Sequence, residues 1–323
     1  MDTIGVYTSG GDAPGMNACI RAVVRTAIYH GLKVKGIRRG YEGMIENEII
    51  ELDRESVANI IQRGGTFLKT ARSKRFMTKE GRAIAHENLK KHNIDAMVCI
   101  GGNGSYTGAM VFNDEYGIPI IGLPGTIDND LYGTDFTIGY DTAINTALDS
   151  IDRIRDTAHS HNRVFIVEVM GRDSGFIALD VAIAGGAEGA LIPEDTHDWD
   201  RVIDLLSKPG RRNKSFSIIV VAEGDEQGGA LVLEKKLVAL FPDIKVRSTI
   251  LGHVQRGGSP SARDRVLASR LGAEAVKALL EGKHSMTVGI VSESITYTSF
   301  KQAITGKKAV SENLIQLAEV LAI

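Results

Sequence analysis

The feature that most constrains the fold is the alternation of short apolar runs with longer amphipathic segments along all 323 residues. Apolar strands that alternate with helices are typical of a parallel sheet covered by helices on both faces, so the pattern predicts an α/β fold. The runs that are predicted to form strands are Ile4–Tyr7, Ala96–Ile100, Ile118–Leu123, Val164–Val169, Ser217–Ala222, Lys245–Ile250 and Val288–Val291. The segments with helical periodicity are Met16–Tyr29, Thr78–Lys91, Asp141–Ala158 and Ala262–Leu280.

Glycine accumulates directly after these strands. The chain has 36 glycines, roughly 11% of its residues against a usual value of about 7%. Because ligands bind beyond the carboxyl ends of parallel strands, we expect the loops there to carry function. The loops that combine glycine with polar or charged neighbours are residues 8–12, 101–105, 124–130, 170–172, 223–224 and 251–258.

Composition disfavours several classes of protein. The formal net charge of −2 indicates neither nucleic acid nor an anionic membrane as a partner. No apolar run approaches the roughly 18 residues of a membrane span, and the first residues are typical of a strand and not of a signal peptide. Cys19 and Cys99 lie in apolar stretches, which predicts buried thiols in a reducing compartment. We therefore expect a cytoplasmic protein.

Two of the loops are candidates for phosphate binding. Gly10-Gly11 and Gly101–Ser105 each offer backbone N–H groups between a strand and a helix. Ordinary tight turns are the alternative for either loop alone. The chain has no Walker A, GxGxxG, CxxC, HExxH or GxSxG motif, which disfavours dinucleotide, zinc and serine-hydrolase chemistry. Phosphoryl transfer remains, in which positioning and charge neutralisation dominate catalysis.

Acidic and basic side chains follow the same strands. Asp128 and Asp130, two residues apart, can face a hydroxyl as a general base and a metal ion, and Thr126 adds a hydroxyl nearby. Local turn chemistry is the alternative. Arginine binds phosphate bidentately. The cations in or beside the strand-end loops are Arg72, Arg163, Arg172, Arg247, His253 and Arg256.

In their order along the chain, these loops resemble those of the bacterial ATP-dependent 6-phosphofructokinase family. The similarity runs nearly from end to end and weakens in the tail after residue 290. The matching stretches are TSGGDAPGMN at 8–17, PGTIDND at 124–130, MGR at 170–172, AEG at 222–224 and LGHVQRGG at 251–258.

The resemblance implies two similar three-layer α/β domains with mostly parallel sheets. Residues 1–139 and 255–305 are expected to bind ATP and Mg²⁺, and residues 140–254 and 306–323 to bind fructose 6-phosphate. The implied reaction is the glycolytic transfer of the ATP γ-phosphoryl group to O1 of fructose 6-phosphate, which gives fructose 1,6-bisphosphate and ADP. The resemblance also implies a homotetramer whose subunits share sites.

The resemblance further implies roles for single residues. Asp128 is expected to be the general base, a role worth about 10²–10⁴ in rate. Thr126 and Arg172 are expected to steady the transferred phosphoryl group, and Asp130 to help hold the metal and the sugar. The expected sugar-phosphate contacts also include Met170, Gly171, Glu223, His253 and Arg256, with Arg163 and Arg247 reaching from a neighbouring subunit. The expected ATP contacts are Gly11, Arg72, Gly102, Asn103, Gly104 and Ser105.

An effector site is implied in the same way. Arg21 and Arg25 are four residues apart and share one helix face. With Arg54, Arg155, Arg212 and Lys214 they resemble a subunit-interface site for ADP or phosphoenolpyruvate, in which Glu188 would bind the effector's Mg²⁺. A solvated basic face is the alternative.

Three positions distinguish this reading from its alternatives. The family usually has Asp at the position of Asn103, where it helps hold Mg²⁺, so a non-catalytic regulatory subunit that binds sugar phosphate is one alternative. A pyrophosphate-dependent enzyme is another. Such relatives typically carry Asp and Lys at Gly104 and Gly125, so here the space for the α-phosphate of ATP is expected to be open. The sequence therefore favours ATP as the donor.

Overall fold

The computed structural model describes residues 1–158, 163–195, 198–207 and 216–322. Its strands are β1 (Thr3–Thr8), β2 (Lys33–Ile37), β3 (Ile49–Leu52), β4 (Ala96–Gly101), β5 (Ile120–Pro124), β6 (Arg163–Val169), β7 (Gly189–Leu191), β8 (Phe216–Ala222), β9 (Lys245–Ile250), β10 (Met286–Val291) and β11 (Ser294–Ser299). Its α-helices are α1 (Met16–Tyr29), α2 (Gly40–Ile45), α3 (Lys79–Lys91), α4 (Asn103–Tyr116), α5 (Tyr140–Ala158), α6 (Phe176–Ala184), α7 (Asp198–Ser207), α8 (Ala230–Leu240), α9 (Ala262–Leu280), α10 (Phe300–Thr305) and α11 (Glu312–Leu321).

The chain divides into two compact units, and the first is built on a seven-stranded sheet. Unit 1 consists of Met1–Ile127, Leu131–Thr142 and Arg256–Lys308. Its strand order is β11-β10-β5-β4-β1-β2-β3. The pairs β10–β5, β5–β4, β4–β1 and β1–β2 are parallel, whereas β3 and β11 are antiparallel edge strands. The helices between successive parallel strands make this arrangement possible, because a parallel pair needs a crossover connection.

Different helices cover the two faces of this sheet. Side chains alternate along a strand, so Tyr7, Cys99 and Ile120 point to one face, where they form one apolar cluster with Leu89 of α3 and Phe112 of α4. Helices α1 and α9 pack against each other and against the sheet strands. The apolar side chains at alternate positions of β1 and β4 are turned toward the opposite face. This unit therefore has three layers.

Unit 2 is built on a smaller, fully parallel sheet. It consists of Asp128–Asp130, Ala143–Gln255 and Ala309–Ile323. The strand order is β7-β8-β6-β9, and β6 pairs with β8 in register from Arg163–Phe216 to Val169–Ala222. Because the strands are parallel and in register, the loops that follow β6 and β8 emerge side by side. This alignment brings residues 170–172 next to residues 223–224.

The predicted α/β fold with mostly parallel sheets is confirmed. All seven predicted strands and all four predicted helices are present, with ends that differ by a few residues. The apolar pattern missed β7 because it has only three residues, and it missed β2, β3 and β11 because these strands lie at or near an edge and carry exposed polar residues. Cys19 and Cys99 are buried free thiols, as predicted. Among the described residues, no helix is both long and apolar enough to span a membrane.

Candidate active site

The predicted base forms an ion pair with a predicted phosphoryl-binding arginine inside unit 2. The Oδ2 atom of Asp128 lies 3.2 Å from Nε of Arg172. The Asp128 side chain is 1% exposed, whereas the Arg172 side chain is 57% exposed. A buried charge is costly unless it is paired, so the guanidinium offsets the cost of burying this carboxylate. The exposed part of the arginine stays accessible to a ligand.

The turn that carries Arg172 is held by the loop that follows the neighbouring strand. Oε1 of Glu223 accepts hydrogen bonds from the backbone N–H groups of Gly171 (3.3 Å) and Arg172 (2.9 Å). Arg172 has a φ of 52°, a left-handed conformation that a non-glycine residue adopts only where its surroundings enforce it. A Cβ atom at Gly224 would lie 1.9 Å from the Arg172 carbonyl oxygen, so only glycine allows this approach. Glu223, predicted as a sugar contact, thus also orients Arg172.

Two buried polar residues that the sequence analysis missed hold the same turn. The hydroxyl of Ser174 donates to the carbonyl oxygens of Asp128 (3.1 Å) and Gly171 (2.9 Å). Oε1 of Gln255, a fully buried residue, accepts from the backbone N–H of Met170 at 2.8 Å. Gln255 lies inside a stretch that carried the family resemblance, which was a signal for its importance. Ser174 follows the MGR stretch by two residues, but it stands one position too late for a GxSxG motif, and the sequence assigned it no role.

The two arginines assigned to a neighbouring subunit's site lie elsewhere in unit 2. Arg163 is the first residue of β6, and Arg247 is the third residue of β9. Six residue steps separate Arg163 from Val169, which is about 20 Å of strand. Arg247 pairs with Phe165, four residue steps or about 13 Å of strand before Val169, so both arginines start away from the strand ends that lead to the Arg172 turn. His253 is exposed in a short 3₁₀-helix after β9.

The first phosphate-loop candidate contacts another predicted sugar-phosphate ligand within unit 1. Nη1 of Arg256 donates to the Asp12 carbonyl oxygen at 3.3 Å. A Cβ atom at Gly11 would lie 2.5 Å from the same Nη1 atom. The absence of a side chain at Gly11 therefore lets the guanidinium lie directly against the loop. The predicted ATP contact Gly11 and the predicted sugar-phosphate contact Arg256 are neighbours in this unit.

The second phosphate-loop candidate opens helix α4. The strands β1 and β4 are paired in parallel, and the Ser9 N–H donates to the Ile100 carbonyl oxygen at 3.0 Å, so the two candidate loops lie side by side. Gly102 is the N-cap of α4 and offers no capping side chain, and the first turn has no acidic residue. A Cβ atom at Gly104 would meet nothing within 4 Å, and one at Gly102 would meet only Thr126, at 3.8 Å. This open helix N-terminus fits a phosphate group.

The donor set also fits a magnesium ion that arrives with phosphates. Among the described residues, no group of three or more His, Cys, Asp or Glu side chains could hold a metal ion. Mg²⁺ commonly takes one or two carboxylates together with waters and substrate phosphates, and does not need a cage made by the protein alone. Of the predicted ligands, Asn103 offers an amide oxygen in unit 1 and Asp130 a carboxylate in unit 2, and both are oxygen donors of the kind that Mg²⁺ prefers. Arg72, predicted beside ATP, is exposed in a loop of unit 1.

The two glycines that were expected to leave space for ATP differ. Gly104 has open space where a side chain would be. At Gly125, a Cβ atom would lie 2.9 Å from Cγ2 of Ile100 and 3.0 Å from Cε of Met16. A side chain at position 104 would therefore enter open space, whereas one at position 125 would meet buried side chains of the core. A larger residue at 125 would first have to displace two buried side chains.

The residues predicted to bind an effector are divided between the two units. In unit 1, Arg54 is exposed, and partial burial together with the nearby Arg25 charge lowers the pKa of Arg21. In unit 2, the Arg155 guanidinium donates to the carbonyl oxygens of Gly185 and Gly186. The predicted effector-metal ligand Glu188 accepts from the Ile218 N–H at 2.7 Å through Oε2. Arg212 and Lys214 lie outside the described residues.

A pocket of about 280 Å³ lies beside the edge strand β7 and not at the Arg172 turn. Glu188, Asp198 and Arg201 are among its lining residues. Burial, with a smaller contribution from the Asp225 charge, raises the pKa of Asp198 to about 7. Oδ2 of Asp198 accepts from the Ile192 N–H at 2.7 Å. This carboxyl group therefore titrates in the neutral range without belonging to the candidate active site.

Comparison with known proteins agrees with the motifs. Residues 3–279 match the family model described as phosphofructokinase. The chain is 56% identical to ATP-dependent 6-phosphofructokinase 2 of Bacteroides thetaiotaomicron, over 99% of this chain and 98% of the relative. It is 56% identical to ATP-dependent 6-phosphofructokinase 1 of Thermus thermophilus, over the full length of both.

A solved structure has the same fold. Phosphofructokinase from Saccharomyces cerevisiae superposes with a TM-score of 0.90 at 36% sequence identity. The match covers 100% of this chain and 47% of the yeast chain, so the present chain spans about half of the yeast chain's length.

Proposed function

The chain belongs to the phosphofructokinase family, and from this premise we propose that it is an ATP-dependent 6-phosphofructokinase. It transfers the γ-phosphoryl group of ATP to O1 of fructose 6-phosphate and releases fructose 1,6-bisphosphate and ADP. The observation that carries the proposal is the buried Asp128 carboxylate, which follows a strand of the sheet and is paired with the exposed Arg172. This pair provides a base and a cation in one place.

The chemistry follows from these two side chains. The Asp128 carboxylate accepts the proton of the sugar 1-hydroxyl as that oxygen attacks the γ-phosphorus, a contribution of about 10²–10⁴ in rate. The exposed side of Arg172, with Thr126, stabilises the negative charge on the transferred phosphoryl group. Asp130 and Asn103 are the proposed ligands of Mg²⁺, which neutralises phosphate charge when bound. The N-terminus of α4, with Gly102, Gly104 and Ser105, is the proposed cradle for the ATP phosphates.

Two observations support ATP over pyrophosphate as the donor. The relatives that are 56% identical over nearly the whole chain are named ATP-dependent. The open space at Gly104 leaves room beside the helix N-terminus for a larger donor than pyrophosphate. The packed position of Gly125 adds nothing to this argument.

The remaining assignments complete the proposal. Met170, Gly171, Glu223, His253 and Arg256 are the proposed sugar-phosphate contacts of one chain. Arg163 and Arg247 are proposed to serve a neighbouring subunit of a homotetramer, which is supported by their distance along the strands from the Arg172 turn. The proposed ADP or phosphoenolpyruvate site consists of Arg21, Arg25, Arg54, Arg155, Glu188, Arg212 and Lys214. The proposed location is the cytoplasm.

The decisive experiment offers both donors in parallel. Purified protein with fructose 6-phosphate and Mg²⁺ is expected to turn over with ATP and not with pyrophosphate. Turnover with pyrophosphate alone would overturn the donor assignment. If neither donor reacts while fructose 6-phosphate still binds by calorimetry, the regulatory alternative replaces the enzyme.

A pair of variants tests the base. We expect Asp128→Asn to lower kcat by about 10²–10⁴. Asp114→Asn, which changes an exposed carboxylate on α4, serves as the matched control and is expected to keep wild-type turnover. Turnover of Asp128→Asn within tenfold of wild type would show that another group takes the proton.

A further inference from the structure

Ser174 connects the two segments that carry the proposed base and its arginine. Its Oγ atom lies 3.1 Å from the carbonyl oxygen of Asp128 and 2.9 Å from that of Gly171. The residue is 8% exposed, so the hydroxyl lies in a largely dry environment. A serine hydroxyl has one proton to donate, and two carbonyl acceptors share it here. This one side chain therefore joins residues 128–130 to residues 171–174 within unit 2.

Both segments have backbone conformations that need support. Asn129 and Arg172 have φ values of 55° and 52°, in the left-handed region that non-glycine residues rarely adopt. Such conformations persist where the surrounding contacts enforce them. Glu223 supplies that contact for Arg172, through the Arg172 N–H. The Ser174 hydroxyl supplies one at the carbonyl group that directly precedes Asn129.

The distance between Asp128 and Arg172 depends on these contacts. Each side chain starts from one of the two segments, and the ion pair spans 3.2 Å between Oδ2 and Nε. A small shift of one segment against the other would change where the carboxylate lies relative to the exposed side of the guanidinium. Misplacement by about 1 Å can cost on the order of 100-fold in rate. The hydroxyl that links the two backbones is therefore well placed to influence catalysis.

We propose that Ser174 is a positioning residue for the phosphoryl transfer: its hydroxyl holds the Asp128 segment against the Arg172 turn, and so sets the alignment of base and arginine. This inference rests on the proposed function. Ser174 touches neither reacting group in this role and acts only through the two backbones. Its removal is therefore expected to lower kcat and to leave substrate affinity nearly unchanged.

The test compares three substitutions at this position. Ser174→Ala removes the donor and is expected to lower kcat by about three- to tenfold, the range that corresponds to the net value of one hydrogen bond. KM for fructose 6-phosphate and for ATP should stay within about twofold, because uniform substrate binding is not altered. Ser174→Thr keeps the hydroxyl and should recover most of the rate. Ser174→Cys keeps the size with a weaker donor and should be intermediate.

A control separates positioning from general weakening of the fold. Ser269 on α9 also donates its hydroxyl to a backbone carbonyl, that of Arg265, at 2.7 Å. Ser269→Ala removes a hydroxyl-to-carbonyl hydrogen bond within a single helix of unit 1 and is expected to keep kcat. Melting temperatures of all variants show whether any loss of rate follows loss of stability. If Ser174→Ala does not fold, Ser174→Cys carries the comparison.

A double substitution tests the route of the effect. If Ser174 acts through the Asp128–Arg172 alignment, Ser174→Ala should reduce kcat much less in an Arg172→Met background than in the wild type. Equal losses in both backgrounds would overturn the proposal, and so would a Ser174→Ala enzyme with unchanged kcat. A wild-type protein that turns over no sugar phosphate would refute the proposed function itself, and the positioning role would fall with it.

Discussion

The Nε atom of Arg172 lies 3.2 Å from Oδ2 of Asp128, which joins a nearly fully buried carboxylate to a largely exposed guanidinium. One edge of the arginine compensates the buried charge, and the rest is available to a phosphoryl group. Arginine suits this arrangement because its planar fork presents several donors at once. The same residue therefore serves the stability of the site and the proposed chemistry.

Replacement of Arg172 should affect turnover more than substrate affinity. We expect Arg172→Met to lower kcat by about 10²–10³, the usual loss when one donor to a developing negative charge is removed. Arg172→Lys should recover only part of the rate, because a lysine is a point charge without the fork. Steady-state kinetics measure kcat and KM for both variants. Arg270→Met, on an exposed surface of α9, is the control, and an Arg172→Met rate above one tenth of wild type would contradict the assignment.

A methyl group at position 104 should separate stability from ATP binding. No atom lies within 4 Å of a Cβ at Gly104, and glycine in a helix is less stable than alanine by roughly 0.5–1 kcal/mol. Gly104→Ala should therefore melt at the same or a higher temperature than wild type. The added methyl group lies at the N-terminus of α4, which is the proposed cradle for the ATP phosphates. KM for ATP should therefore rise, while KM for the sugar phosphate stays constant. Asp114→Ala on the same helix is the control, and an unchanged KM for ATP would place the donor elsewhere.

Restoration of the family's usual carboxylate should strengthen the response to metal. Asn103→Asp adds a negative charge in the first turn of α4, where the helix dipole favours it and where a ligand of Mg²⁺ is proposed. We expect the Mg²⁺ concentration for half-maximal rate to fall severalfold, with a maximal rate close to wild type. The measurement is a Mg²⁺ titration of the initial rate, with Asn313→Asp on α11 as control. If Asn103→Asp and the wild type give the same Mg²⁺ titration curve, position 103 does not contribute to the metal site.

Asp198 should make the stability of unit 2 depend on pH. Burial and the Asp225 charge raise the pKa of Asp198 to about 7, against about 3.9 in an unfolded chain. At a pH between these two pKa values, Asp198 is largely protonated in the folded state and largely ionised in the unfolded state. The contribution of Asp198 to the free energy of unfolding therefore falls as the pH rises from about 4 to 7, by up to about 1.4 kcal/mol per pH unit.

Asp198→Asn removes this dependence, since the amide stays neutral at every pH and still offers an acceptor to the Ile192 N–H. The variant should gain stability relative to wild type as the pH rises through this window, and the difference should level off above pH 7. Denaturant unfolding at a series of pH values measures it. Asp204→Asn, exposed on the same helix, is the control. A difference that does not change with pH would show that Asp198 has an ordinary acidity.

Much of the fold could be predicted because buried parallel strands are continuous apolar runs. The runs at β1, β4, β5, β6 and β8 are buried along most of their length, so their composition alone marks them. Strands at or near an edge, such as β3 and β7, bury fewer side chains and have no such mark. Their place in the sheet depends on a partner strand that local sequence does not specify.

The candidate site, like the fold, was predictable where local sequence carries a signal and not where distant segments meet. Asp128 and Arg172 stand three or four residues after the ends of β5 and β6, in loops whose glycine and charge are visible in the sequence. Ser174 is a single buried polar residue, and one of its two carbonyl partners belongs to a segment 46 positions away. The packing of Gly125 against Ile100 and Met16 was equally hidden. Contacts between distant segments leave no local pattern.

The sequence by itself determined where the strands end and which loops are candidates for the chemistry, because the change from an apolar run to glycine and charge is a local signal of a strand end. Tertiary structure alone decided which of those residues meet. The in-register pairing of β6 with β8 sets Glu223 against the Arg172 turn, and Ser174 ties that turn to Asp128. These relations follow from strand order and register, which arise only when the whole sheet packs.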